Sequence, residues 1–197
     1  MPRYRLLLEY DGAGFRGWQR QASGPSVQSA LEDALRICSG ETVTVFAAGR
    51  TDAGVHALGQ VAHVDLARTW QPERLAGALN FHLRPAPVTV LAAREAPEGF
   101  HARFSCTSRT YLYRILNRRS PPALERGRVW HVPVPLSAEW MHVAAQALVG
   151  RHDFTSFRAS ECQSASPVKT MGGIHVDSIH IGRRRNPRLC GEPSSTD

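Results

Sequence analysis

The densest cluster of chemistry-bearing side chains is Gly49-Arg50-Thr51-Asp52-Ala53-Gly54-Val55-His56. Two glycines bracket an arginine, a threonine and an aspartate, with a histidine just beyond. Asp52 admits two readings. It can close an Asx-turn by bonding its own backbone between two strands. Alternatively it is a carboxylate held on a rigid loop, with Arg50 two residues away to keep it ionised. A carboxylate paired to arginine is a poor general acid, but it can serve as a nucleophile or an electrostatic stabiliser.

A second group interleaves bases with aromatics: Phe100-His101-Ala102-Arg103-Phe104, then Ser108-Arg109-Thr110-Tyr111-Leu112-Tyr113-Arg114. On a strand, Arg109, Tyr111 and Tyr113 share one face. They form either a half-buried sheet face or a platform on which a nucleobase stacks. Arg16, Trp18 and Arg20 offer similar chemistry on a glycine-permissive loop, where guanidinium meets phosphate and a ring meets a base. The alternative there is a solvated loop with Trp18 folded onto the core. The same loop contains Gly12-Ala13-Gly14-Phe15-Arg16-Gly17, which matches a dinucleotide fingerprint in its glycines alone. The fingerprint must open a helix and be followed by an acidic strand end. Here the helix starts only at Ser26, so the dinucleotide reading is rejected.

The charge balance favours an anionic partner. Lys and Arg number 24 against 17 Asp and Glu, a formal charge of +7, and Lys169 is the single lysine. The arginine excess reads either as GC-rich codon composition or as phosphate binding, since the guanidinium grips phosphate bidentately, and on the second reading nucleic acid is a candidate partner. Cys38, Cys106, Cys162 and Cys190 are scattered with no Cys-x-x-Cys pair, and the nine histidines lack ligand spacing. That excludes a zinc ribbon and a disulfide scaffold, and fits reduced thiols in the cytoplasm. No metal site is expected. No apolar run approaches the ~20 residues that span a bilayer, and the N-terminus is unlike a signal peptide. A soluble cytoplasmic protein without membrane attachment is expected.

These residues must be positioned by a regular scaffold. Alternation predicts strands over Arg3–Tyr10, Thr42–Ala48, Gln60–Asp65 and Val88–Glu95. Ser26 caps a helix whose Val27, Ala30, Leu31, Ala34, Leu35 and Cys38 share a face, and Gly40 stops it. Pro72 opens a second helix through Phe81. The order β-α-β-β-α-β is the ferredoxin-like or split pattern. Further on, a strand is expected over Tyr111–Asn117 and a proline-rich connection over Pro121–Pro135. A helix from the Ser137 cap to Leu148, with Met141, Ala144, Ala145 and Leu148 on its apolar face, and a strand over Ile174–Ile181 follow.

Five segments in order resemble the tRNA pseudouridine synthases of the TruA type. They are Glu9-Tyr10-Asp11-Gly12, Gly17-Trp18-Gln19-Arg20-Gln21, the Gly49–His56 segment, Phe100-His101-Ala102-Arg103-Phe104-Ser105, and Asp153-Phe154-Thr155-Ser156-Phe157-Arg158. The resemblance spans about Arg3 to Ile181. It implies an α+β fold of two ferredoxin-like halves sharing an antiparallel sheet, with a cleft between them. It implies isomerisation of uridine to pseudouridine at positions 38–40 of the tRNA anticodon arm, by a homodimer without metal or organic cofactor. It places the catalytic aspartate on Asp52, its supporting arginine on Arg50 and the base-stacking tyrosine on Tyr111. Arg16, Arg20, Arg103, Arg109 and Arg158 are the candidate RNA contacts.

The pattern departs from the family after Gly182, where a further strand and helix are expected and Arg183-Arg184-Arg185 stands instead. The expected organisation is an N-terminal half over residues 1–103, an incomplete C-terminal half over 104–181 and a disordered tail over 182–197. A truncated or frame-shifted product is expected to look this way, dimeric only if its second half is complete. An active isomerase and a catalytically impaired RNA-binding remnant are the two functional expectations.

Overall fold

A computed structural model describes residues 1–157 and 166–179. The chain divides into two compact units, Met1–Leu112 and Tyr113–Asp197.

In the first unit, β1 (Arg3–Tyr10) is followed by α1 (Val27–Ser39), β2 (Phe46–Ala47), β3 (Ala57–Asp65), α2 (Pro72–His82) and β4 (Val88–Glu95). The strands form one antiparallel sheet in the order β2-β3-β1-β4. Tyr4, Leu6, Leu8 and Tyr10 alternate into the core, where Val27, Leu31 and Leu35 of α1 and Leu75 and Leu79 of α2 meet them. The period of two on the strand and the helical stripes on α1 and α2 thus face each other. Both polar atoms of the buried Tyr4 hydroxyl are used: Trp70 N–H donates to it at 2.7 Å, and it donates to the Trp70 carbonyl at 3.0 Å. A capping box closes the start of α1, with Ser26 and Ser29 exchanging side-chain and backbone hydrogen bonds. Gly40 ends the helix at φ 75°.

The strand expected over Thr42–Ala48 shrinks to Phe46–Ala47. The reason lies in α1. The Val45 N–H donates not to a neighbouring strand but to Glu32 Oε1, at 3.0 Å. Glu32 also accepts from Gln28 Nε2 (2.8 Å) and Arg20 Nε (2.7 Å), so one buried carboxylate ties the first loop, α1 and the entry to β2 together.

The second unit contains β5 (Ile115–Asn117), β6 (Trp130–Val132), α3 (Ala138–Ala145), β7 (Gly150–Asp153) and β8 (Val168–Met171). β5 and β6 pair in parallel, β7 and β8 antiparallel. Ser137 caps α3 as expected, accepting the Trp140 N–H at 3.2 Å, and a 3-10 turn extends it over Gln146–Leu148. None of the described residues of this unit is buried. Of the anticipated apolar face of α3, Met141 and Ala145 are half-buried, while Ala144 and Leu148 are exposed.

Three expectations are corrected here. The strand over Tyr111–Asn117 begins only at Ile115. The proline-rich connection holds the short β6. Residues 174–179 are not a strand. The Ile174 carbonyl accepts Gln146 Nε2 (3.0 Å) and the Val176 N–H donates to His142 Nδ1 (3.3 Å), so side chains from the α3 region meet this backbone instead of a ladder partner. The tail over 182–197, and the end of that expected strand, lie outside the described residues.

Candidate active site

The loop Gly49–His56 joins β2 to β3 and is seated on the loop that links β1 to α1. The Trp18 N–H donates to the Thr51 carbonyl (2.9 Å) and the Gly54 N–H to the Phe15 carbonyl (3.3 Å). The Gly12 N–H donates to His56 Nδ1 (3.1 Å), and Tyr10 Oη lies 2.8 Å from Thr51 Oγ1. At the loop entrance, Gln60 Nε2 donates to the Gly49 carbonyl (2.7 Å). Glycines permit this contact. A Cβ on Gly12 would stand 2.0 Å from the Val55 carbonyl oxygen, and one on Gly17, at φ 93°, 2.6 Å from the Thr51 oxygen. Two of the three glycines that match a dinucleotide fingerprint, Gly12 and Gly17, therefore admit a second backbone.

Asp52 itself is exposed. Its turn closes through the backbone, the Val55 N–H donating to the Asp52 carbonyl at 3.2 Å. Gly54, at φ 79°, supplies the positive φ that a type II turn needs at its third position. The backbone, not the Asp52 carboxylate, thus shapes this turn. The arrangement presents a carboxylate to solvent from a loop pinned on its inner side, with the Arg50 side chain also exposed on the same loop.

Trp18 is 2% exposed and lies 6.2 Å from the Tyr10 ring, so it belongs to the core and not to an RNA-stacking surface. Arg20 is held by Glu32 (2.7 Å) and approaches Asp33 (3.7 Å). Arg16 and Arg103 have exposed side chains. Arg109 turns back toward the loop entrance: its Nη2 donates to the Ala48 carbonyl at 2.5 Å, and its Nε lies 3.0 Å from where a Gly49 Cβ would be. Tyr111 is 67% exposed. Because residues 107–114 form no ladder, no strand puts Arg109, Tyr111 and Tyr113 on one face. Arg158 lies outside the described residues.

One polar core was not anticipated from sequence. His63, on β3, is buried and accepts the Ala102 N–H on Nδ1 at 3.1 Å. Its ring stacks on Phe46 (5.1 Å) and meets His101 edge-on (4.6 Å). Burial, then the positive charges of Arg3 and His101, push its pKa down to about 4, against an opposing pull from Asp65. Beside it, Arg3 grips Asp65 with two hydrogen bonds (2.6 and 2.7 Å), which hold that carboxyl below the usual carboxylate range. The Arg3 Nη1 also reaches the Phe100 carbonyl at 2.5 Å. This cluster fixes the Phe100–Phe104 segment to the sheet. The sequence signal for it was a histidine within an apolar strand, facing an aromatic run about 40 residues on.

Comparison with known proteins now places the chain. The profile of the tRNA pseudouridine synthase family matches residues 7–105 and 144–188. Over 179 residues the chain is 64% identical to a tRNA pseudouridine synthase A of Rhodospirillum centenum, covering 91% of this chain and 73% of that protein. It is 58% identical over 182 residues to the protein of that name from Methylorubrum extorquens, covering 92% and 73%. A counterpart from Cereibacter sphaeroides is 59% identical over 179 residues, covering 91% and 70%. The chain belongs to the tRNA pseudouridine synthase family.

Proposed function

We propose that the chain isomerises uridine to pseudouridine in tRNA, at positions 38–40 of the anticodon arm, with Asp52 as the catalytic carboxylate. The observation that carries this reading is the exposure of Asp52 on a loop whose backbone is held from beneath by the Gly12–Trp18 segment. Preorganised placement of a reacting group is what such pinning supplies. Arg50, exposed on the same loop two residues away, is the proposed supporting residue.

In this reaction the C1'–N1 glycosidic bond breaks, the uracil turns and C1' rejoins through C5. The C5 proton leaves and N1 regains one, so the product is an isomer. No electron enters or leaves and no group passes to an acceptor, so the rearrangement itself calls for no cofactor. The target base must leave its stack to be reached, and an exposed ring is suited to receive it. Tyr111 is assigned that role. Arg16, Arg20, Arg103 and Arg158 are the proposed contacts to the RNA backbone, with Arg20 the weakest because Glu32 already holds it, while the Arg109 guanidinium is turned to the Ala48 carbonyl instead. The reading includes two ferredoxin-like halves sharing an antiparallel sheet around a cleft, a homodimer, and action in the cytoplasm. The β-α-β-β-α-β order and the β2-β3-β1-β4 sheet of the first unit support the first of these halves.

The experiment is release of tritium from tRNA carrying 5-tritiated uridine, incubated with the purified chain. Release, with pseudouridine appearing at positions 38–40, supports the proposal. Tight tRNA binding without release would instead make the chain a non-catalytic RNA-binding remnant.

A further inference from the structure

Arg109 stands two residues before Tyr111, and its guanidinium reaches across to the entrance of the Asp52 loop. Its Nη2 donates to the Ala48 carbonyl at 2.5 Å. Its Nε and Cδ lie 3.0 and 3.4 Å from the point where a Gly49 Cβ would stand, so the side chain occupies the space that Gly49 leaves open. The next carbonyl, that of Gly49, is held from β3 by Gln60 Nε2 at 2.7 Å. Two consecutive carbonyls at the loop entrance are thus gripped by two side chains from distant parts of the sequence. An extended residue spans about 3.5 Å, so Tyr111 is leashed within about 7 Å of chain from the Arg109 Cα, and Asp52 within about 10 Å of Gly49.

We propose that Arg109 is a positioning residue: by bonding the Ala48 carbonyl over Gly49, it ties the segment that carries Tyr111 to the entrance of the loop that carries Asp52. The inference rests on the proposed roles of those two residues and assigns Arg109 a task other than phosphate contact. It also gives Gly49 a reason, since a methyl group there would crowd the guanidinium.

The test compares Arg109→Gln, Arg109→Lys, Gly49→Ala and the double variant Gly49→Ala/Arg109→Gln in the full chain. Hydrogen exchange over residues 48–55 reads the positioning directly, whether or not the chain turns over. Loss of a charge-assisted anchor should speed exchange there by about 5–10-fold in Arg109→Gln while leaving α2 unchanged. On tRNA, Arg109→Gln should lower the single-turnover rate about tenfold and leave Kd and its salt slope as in the parent, because no phosphate contact is lost. Arg109→Lys, with a single donor nitrogen in place of the planar fork, should recover part of the rate. Gly49→Ala should reproduce the defect with the arginine present, and the double variant should be no worse than either single one. Unchanged exchange in Arg109→Gln overturns the positioning role. A weakened Kd with a salt slope flattened by about 0.7–0.9 units, at an unaltered rate, overturns it in favour of a phosphate contact. A parent chain that releases no tritium while Arg109→Gln still loosens residues 48–55 would sink the proposed activity and leave the positioning role standing.

Discussion

The Trp18 N–H donates to the Thr51 carbonyl at 2.9 Å, and through this bond a buried core residue fixes the backbone next to Asp52. Gly17 makes the approach possible, since its φ is 93° and a Cβ there would lie 2.6 Å from the same oxygen. Gly17→Ala should therefore cost about 2–4 kcal/mol, from the left-handed backbone and the clash together. Urea denaturation reads this as a lower midpoint. A midpoint equal to that of the parent would show that the two loops can separate without consequence.

The His63 cluster makes stability pH-dependent in a defined window. Its pKa falls from 6.5 to about 4 in the folded protein. Between those values the unfolded chain binds more protons, so stability rises with pH: it is full above about 6.5 and lost as pH falls toward 4. The loss through this window should reach up to about 3 kcal/mol. Asp65, whose pKa is lowered by Arg3, adds a further loss below the range of an ordinary carboxylate. Denaturation midpoints at pH 7 and pH 4.5 measure the slope, and His63→Gln should flatten it. An equally steep slope in that variant would assign the effect elsewhere.

RNA affinity should distinguish Arg16 from Arg20, although they are four residues apart. Arg16 has an exposed side chain, whereas Arg20 is held by Glu32 at 2.7 Å. Each phosphate contact contributes about −0.7 to −0.9 to the slope of log affinity against log salt. Arg16→Gln should flatten that slope by about one such step. Arg20→Gln should leave the slope nearly unchanged and instead lower the thermal midpoint, because it strips the buried Glu32 of its counter-charge. The reverse pattern would contradict these assignments.

Much of the first unit was legible because its elements are amphipathic and locally capped. Arg3–Tyr10 alternates throughout, Val88–Glu95 alternates as far as Leu91, and α1 carries both its Ser26 cap and its Gly40 stop. What escaped the sequence reading depends on contacts between distant segments. The strand expected from Thr42 fails because a helix carboxylate, Glu32, takes the Val45 N–H. The short parallel pair of β5 and β6 joins segments separated by prolines, and three-residue strands leave no period to read. The Asp52 loop stood out from its residue types alone. Its seat did not, since the roles of Gly12 and Gly17 lie in the space they leave for another backbone.

Tyr111, 67% exposed, is available to a base. Loss of one base–aromatic stack costs about 1–3 kcal/mol, so Tyr111→Ala should weaken productive tRNA binding about 5–150-fold. Tyr111→Phe keeps the ring. If it restores binding but not rate, the hydroxyl has a chemical task as well. Equal kinetics for Tyr, Phe and Ala would remove this residue from the site.

The central claim is that Asp52 acts chemically, and the backbone closure of its turn makes this directly testable. Because the Val55 N–H bonds the Asp52 carbonyl, Asp52→Asn should leave the loop in place. The measurement is tritium release from 5-tritiated uridine in tRNA under single-turnover conditions, with tRNA affinity determined in parallel. Asp52→Asn should abolish release while Kd stays within about threefold of the parent, a difference under about 0.7 kcal/mol. Release at the parent's rate from the Asn variant would contradict the claim.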